Sequence, residues 1–363
     1  MKRRFAVVLA ALAWSHAPTT ELALAQEVPP PSAEPGRRGP VTVAVGCFIN
    51  EIYAINLPDQ SFQFNMYLWF RWDPKQWPPP PLEDPSLDAT SRGAVPPNSD
   101  QAPLEATGGP FETFEIIRSR GIESKEVYRR DGYCALQVSG TVGNQWSVDD
   151  FPFDHQKFVL QVEDTSYETN QLIYVADVEF SGLAPSLDIS GSRIRGLSTT
   201  VEPFVYPTNF GDPALVRTTQ SAYSRFYAVV ATDRLGWQLF VKLFSGLFVA
   251  TAIAMLAFFI DATQVDPRFG VCVGGLFGII ASSYVVTSLL PEGVGLAYAD
   301  RLHIASLVAV LAALLVSTVS LSLKLRGDDA SDASSKRLDR VSFAVIVPAY
   351  LLVVLGLTMQ ALR

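Results

Sequence analysis

The sequence predicts an all-β, immunoglobulin-like sandwich followed by a four-helix transmembrane bundle. Three observations carry that prediction. Apolar residues alternate with period two over much of residues 41–230. Gly, Pro, Asp and Asn turns cut the same stretch into many short strands with no helical pattern between them. After Trp237 come four hydrophobic segments, each near the ~20 residues a helix needs to cross about 30 Å of hydrocarbon.

The chain opens with Lys2-Arg3-Arg4 and the apolar run Phe5 to Trp14, the layout of a secretory signal too short to span a membrane. Residues 1–25 are read as that signal. Cleavage after Ala25 fits Ala23-Leu24-Ala25, and Ser15-His16-Ala17 is a second option. Residues 26–40, rich in Pro, Gly and charge, read as a flexible leader. The exported β domain is residues 41–235. Within it Phe62, Phe64, Met66, Leu68, Phe70 and Trp72 fall on one face of a strand, with Gln63, Asn65 and Tyr67 on the other. Further strands are expected at Val41 to Ile55, Phe111 to Arg118, Val127 to Val142, Phe158 to Val162, Leu172 to Phe180, Ile194 to Tyr206 and Ser221 to Ala231. Residues 73–110, with Pro78 to Pro81, Pro85, Pro96, Pro97, Pro103 and Gly108-Gly109, read as an irregular insertion outside the strand core.

The transmembrane domain is residues 236–363, with helices expected over about 237–260, 269–290, 302–323 and 341–362. Lys324, Arg326, Lys336, Arg337 and Arg340 lie between the third and fourth spans and Arg268 between the first and second, so both loops belong inside. The expected location is therefore the cell inner membrane, multi-pass, with the β domain and both termini on the periplasmic side. Lys242 and Asp261 read as anchors at the two interfaces.

Composition excludes several functions. The 28 basic and 36 acidic residues give a net charge of −8, with no basic footprint for nucleic acid. There is no phosphate loop and no metal-spaced His/Cys cluster, and the histidines are His16, His155 and His303 alone. Neither catalysis nor a cofactor is expected. Cys47 and Cys134 are the candidate pair of the exported domain; a disulfide and two buried thiols are both open.

Phe151-Pro152-Phe153-Asp154, between two expected strands, resembles the FPFD loop of the pentameric ligand-gated ion channels. The run ending Trp69-Phe70-Arg71-Trp72-Asp73 resembles that family's second strand. Asp233-Arg234 resembles its pre-membrane arginine, and Pro291 follows the second span as in its members. Asn144 and Phe158 stand where animal members carry the bracketing cysteines, so the chain resembles the bacterial members of this Cys-loop receptor superfamily that lack the disulfide. The resemblance implies a homopentamer in membrane lipid whose central pore, lined by the second helix, passes inorganic ions when an agonist binds outside. It also implies that Pro152, Phe153, Asp154, Arg234 and Pro291 couple sensor to pore, with Asp154 meeting Arg234. The bland alternative is that Arg234 snorkels to headgroups.

Asp266-Pro267-Arg268 and Pro291 anchor the alignment and put Asp266, Gly270, Gly274, Phe277, Ala281, Tyr284 and Ser288 toward the pore, on one helical face. Rings of Phe277 would make a hydrophobic gate that closes by dewetting. Members of the family usually carry Ser or Thr where Gly270 and Gly274 stand, and the ladder Gly270, Gly274, Gly278 reads equally as a helix-packing surface. Asp266 would form an acidic ring at the inner mouth and Arg268 a competing basic one, with cation selectivity the favoured outcome. By the same resemblance Tyr67, Tyr167, Glu168, Tyr206 and Phe210 are the agonist-site candidates. Aromatics beside carboxylates suit a small organic cation. Protons are the second candidate agonist, given the many carboxylates and His155 beside Asp154. The rival function is a non-conducting sensor or accessory subunit on the same scaffold.

Overall fold

The computed structural model describes residues 39–79, 108–208, 220–292 and 295–362. The expected signal, most of the leader, most of the insertion and Phe210 lie outside these residues.

Among the described residues ten strands form two sheets. β1 (Val41–Asn56), β2 (Ser61–Trp72), β4 (Ser119–Arg130), β5 (Tyr133–Gly143), β7 (Leu172–Ala176) and β8 (Gly182–Leu183) make one, and β3 (Phe114–Ile116), β6 (His155–Asp164), β9 (Ser192–Tyr206) and β10 (Ser221–Arg234) make the other. The first runs in the order β4-β5-β2-β1-β7, with β8 also on β1; the second runs β3-β6-β10-β9. β7 and β8 pair with β1 in parallel, each along a different part of it, and the other pairings are antiparallel.

The expected alternation on β2 holds residue by residue. Phe62, Phe64, Met66, Leu68, Phe70 and Trp72 are all buried. They join the sheets: Phe62 meets Phe158 of β6 edge-on at 5.2 Å between ring centroids, and Phe70 meets Phe114 of β3 at 5.5 Å. Such pairs add about 0.5–1.5 kcal/mol beyond the area they bury.

Three strand expectations are corrected. Val127 to Val142 is not one strand but parts of β4 and β5, which turn at Asp131-Gly132, where Gly132 has φ 71°. β4 gave no apolar alternation because it is the outermost strand of its sheet and nearly all exposed, with Arg120, Glu123, Lys125, Glu126, Arg129 and Arg130 along it. Charge on an edge strand blocks further pairing. Of Phe111 to Arg118 only Phe114–Ile116 is strand, and β7 ends at Ala176 because Ser181 N and Oγ both donate to the Asp177 carbonyl and turn the chain.

Cys47, Cys134 and Cys272 are buried and unbridged. Cys47 is on β1 and Cys134 on β5, and β2 lies between those strands. Two strand spacings are about 9.6 Å, beyond the reach of a disulfide. Burial pushes the Cys47 thiol up to about 12 and the Cys134 thiol to about 11, so both act as small apolar residues.

The second half holds α1 (Gly236–Met255), a 3-10 turn (Leu256–Phe259), α2 (Val265–Thr287), α3 (Tyr298–Lys324) and α4 (Asp329–Ala361). Among the described residues four helices, the turn counted with α1, are long and apolar enough to cross a membrane. α2 begins before Phe269, taking Asp266 into its first turn, and α4 begins well before Val341. Hydropathy misses the start of α4 because that stretch is polar. It is helical because the Asp328 side chain caps Ser331 N, and Ser331, Ser335 and Asp339, four residues apart, form its buried face.

Candidate functional site

The loop Asp149–Asp154 joins the two halves. Asp154 is 4% exposed, and Arg234, at the end of β10, grips it with Nε to Oδ1 at 2.9 Å and a terminal nitrogen to Oδ2 at 3.2 Å. Gln156 Nε2 donates to the same carboxylate, and Arg234 N donates to the Asp154 carbonyl at 3.3 Å. The guanidinium also lies 5.4 Å from the centre of the Phe151 ring. Sequence-predicted Asp154 and Arg234 therefore meet within one chain, and Arg234 is not merely reaching for headgroups.

Phe153 extends this junction into the helices. Its ring packs on Trp237 at 5.1 Å, Phe240 at 5.6 Å and Tyr298 at 6.0 Å, reaching both α1 and α3. Tyr298 N donates to the Asp149 carbonyl at 2.7 Å, and Leu235 N to the Gly191 carbonyl at 2.8 Å. Pro152 is buried against the first residue of α1. A Cβ on Gly236 would stand 2.5 Å from the Pro152 carbonyl oxygen and 2.6 Å from the Phe153 ring, so only glycine fits. Gly236→Ala is expected to destabilise the protein by about 1–3 kcal/mol, because a backbone oxygen has little room to yield. Thermal melting in detergent measures it. Pro291 is buried just beyond α2, apart from these bonds. Gly236, Tyr298 and Asp149 were missed by sequence reasoning; the one available signal was a glycine directly after Arg234-Leu235.

On α2 all seven predicted positions, Asp266, Gly270, Gly274, Phe277, Ala281, Tyr284 and Ser288, are exposed. Phe277 is 67% and Tyr284 78% exposed. A Cβ on Gly270 or Gly274 would meet nothing within 4 Å. The packing glycines are instead Gly275 and Gly278, where a Cβ would come 2.7 Å from Ala254 and Ala250 of α1. Of the expected ladder Gly270, Gly274 and Gly278, only Gly278 meets another helix within the chain, and Gly270 and Gly274 face open space there.

Arg268 is 0% exposed and turned away from that open face. It makes a two-pronged pair with Asp339 of α4, at 3.0 and 2.6 Å, and donates to the Ile260 carbonyl at 2.9 Å. Asp261 lies 3.6 Å from Lys324, which also bonds Asp332. Hydrogen bonds from Thr263 and the Lys324 charge hold the Asp261 carboxyl below its ordinary value.

The agonist-site candidates divide. Tyr67 is exposed on β2, in the sheet that does not hold Tyr206. Tyr167 is half-buried and meets Trp77 edge-on at 5.5 Å. Thr169 N donates to the Ala222 carbonyl at 2.7 Å, which brings the Glu168 loop to β10. Tyr206 meets Tyr223 at 5.8 Å, and its hydroxyl donates to Glu163 at 3.0 Å and accepts from Arg225 at 2.8 Å. Arg225 stacks 3.6 Å from the Phe204 ring centre and pairs with Glu163 at 2.6 Å. An internal cation thus already occupies the Phe204–Tyr206 corner. Burial pushes the Glu163 carboxyl up against the opposing pull of Arg225, and pushes the Tyr206 hydroxyl to about 12.

His155 does not contact the Asp154 carboxylate; its Nδ1 is 2.7 Å from Asp233, which Arg195 also holds at 2.7 Å.

No protein-family model matches the chain, and no curated protein is significantly similar to it.

Proposed function

We propose that the chain is a subunit of a homopentameric ligand-gated ion channel of the inner membrane, built on an immunoglobulin-like periplasmic domain. α2 lines its pore, Phe277 is its gate and cations are the permeating ions. The observation that carries this reading is the open face of α2. A helix side that holds an aspartate, two unpacked glycines and Ser288 is poorly suited to lipid, and it needs either water or other copies of the chain beside it. The junction supports the reading from the other end. Asp154, Arg234 and Phe153 connect the last strand of the β domain directly to the first and third helices, the route by which a movement outside would reach the pore. The agonist is a small organic cation or the proton. With Arg225 already on Phe204 and Tyr206, an organic cation has Tyr67, Tyr167, Tyr223 and Glu168 left to it.

The test is current through planar bilayers holding the purified protein, with outside pH stepped and small primary amines then added. Wild type is expected to open to one of the two. Phe277→Ala is expected to leak or to open at a weaker stimulus, because the dewetting ring is gone. Silence of both proteins as verified pentamers rejects the channel reading and leaves a non-conducting sensor, motivated by the missing pore hydroxyls at Gly270 and Gly274.

A further inference from the structure

The charged residues of α2 are Asp266 and Arg268. Two residues apart on a helix, they point to nearly opposite sides. Asp266 is exposed on the same face as Gly270, Gly274 and Phe277. Arg268 is fully buried, and its charge is met by one carboxylate, that of Asp339 on α4. Asp339 is in turn fixed by Ser320 of α3, whose hydroxyl donates to Oδ2 at 3.0 Å and lies 2.7 Å from the Ser335 hydroxyl. The Ile260 carbonyl takes another guanidinium proton, while Nε has no hydrogen-bond partner among the described residues. A buried guanidinium with one counter-charge stays in place and electrically quiet only while that counter-charge is present.

We infer that Asp339 sets the charge of the inner pore mouth: by holding and neutralising Arg268 behind α2, it leaves Asp266 as the sole charge presented on that helix's open face. This rests on the channel reading. It makes a residue of the fourth helix a determinant of which ions pass, acting through Arg268 as a positioning residue without touching the ion. It also removes the competition of signs that the spacing Asp266-Pro267-Arg268 suggests.

The experiment compares reversal potentials in a sodium chloride gradient for three proteins, each checked for assembly. Wild type is expected to prefer cations. Asp339→Asn leaves Arg268 without a counter-charge and is expected to lower the cation-to-anion permeability ratio on the order of tenfold. The double variant Arg268→Gln, Asp339→Asn is expected to return to the wild-type ratio, because a net-neutral pair has been exchanged for a neutral one. A purely structural role for Asp339 would not give that return.

An unchanged ratio in Asp339→Asn overturns the inference. So does a double variant more cation-selective than wild type, since Arg268 would then have been acting at the mouth. If Asp339→Asn does not assemble, a double variant that departs from the wild-type ratio still overturns the inference. A silent wild type rejects the channel reading and this inference with it, whereas a conducting wild type with the wrong variants rejects this inference only.

Discussion

Arg234→Ala is expected to destabilise the protein by about 3–5 kcal/mol and to abolish response to the agonist. The stability term follows from burial: the Asp154 carboxylate has almost no access to water, and its remaining side-chain partner would be the amide of Gln156. Removing one member of a buried pair leaves the other as an uncompensated charge. The two-pronged geometry makes a lysine a poor substitute, because a point charge cannot match both carboxylate oxygens. The double variant Asp154→Asn, Arg234→Gln is expected to lose less than the two single variants added together. A double-mutant cycle in thermal melting measures that coupling, and the same cycle on agonist response tests the gating role. Additive effects in the second cycle, with coupling in the first, would make the pair a structural clamp and no more.

Much of this junction was legible because it is written in short local strings. Phe151-Pro152-Phe153-Asp154 and Asp233-Arg234 are each contiguous, and the pairing of Asp154 with Arg234 followed from family resemblance. What the sequence hid was the surface they close on. Nothing in a linear string says that Tyr298, far along the chain, donates its amide to Asp149, or that Gly236 is a glycine because the Pro152 carbonyl sits where its side chain would be.

The helices divide in the same way. Hydropathy located the four spans, and the alignment implied by the family resemblance, whose positions recur every three or four residues, located the exposed side of α2. They did not locate the start of α4. Its first turns bury serines and an aspartate, and hydropathy reads such residues as loop. Asp339 was hidden for that reason, among Lys336, Arg337 and Arg340, in a stretch that looked like a basic cytoplasmic connection. Arg268 was visible, but its direction was not; only the position of α4 shows that it points inward to the bundle.

Glu163 and Arg225 form a second buried ion pair of the β domain, on β6 and β10; in the first pair Arg234 ends β10 and Asp154 immediately precedes β6. Arg225 lies directly across from Glu163 in the β6–β10 ladder, which runs on to Asp233 and His155 beside the Asp154–Arg234 pair. One two-stranded ribbon is therefore clasped at both ends by an arginine and a carboxylate. Glu163→Ala is expected to destabilise by about 3–5 kcal/mol, since the Arg225 guanidinium would keep the Gln161 and Tyr206 oxygens but lose its counter-charge. Glu163→Gln keeps an acceptor for both Arg225 and Tyr206, and about 1–3 kcal/mol is expected. The pH dependence separates two accounts of this pair. Burial raises the Glu163 carboxyl more than Arg225 lowers it, so the folded protein holds that proton more tightly than the unfolded chain does. The stability of wild type relative to Glu163→Gln is then expected to increase as pH falls through the raised value, and to level off below the ordinary glutamate range. A carboxylate dominated by its arginine would behave in the opposite sense, losing stability on acidification. Melting temperatures of the two proteins in detergent across mildly acidic pH distinguish them. A growing wild-type advantage in acid identifies Glu163 as a group that takes up a proton in the folded domain, at the far end of the ribbon whose other end holds the helices.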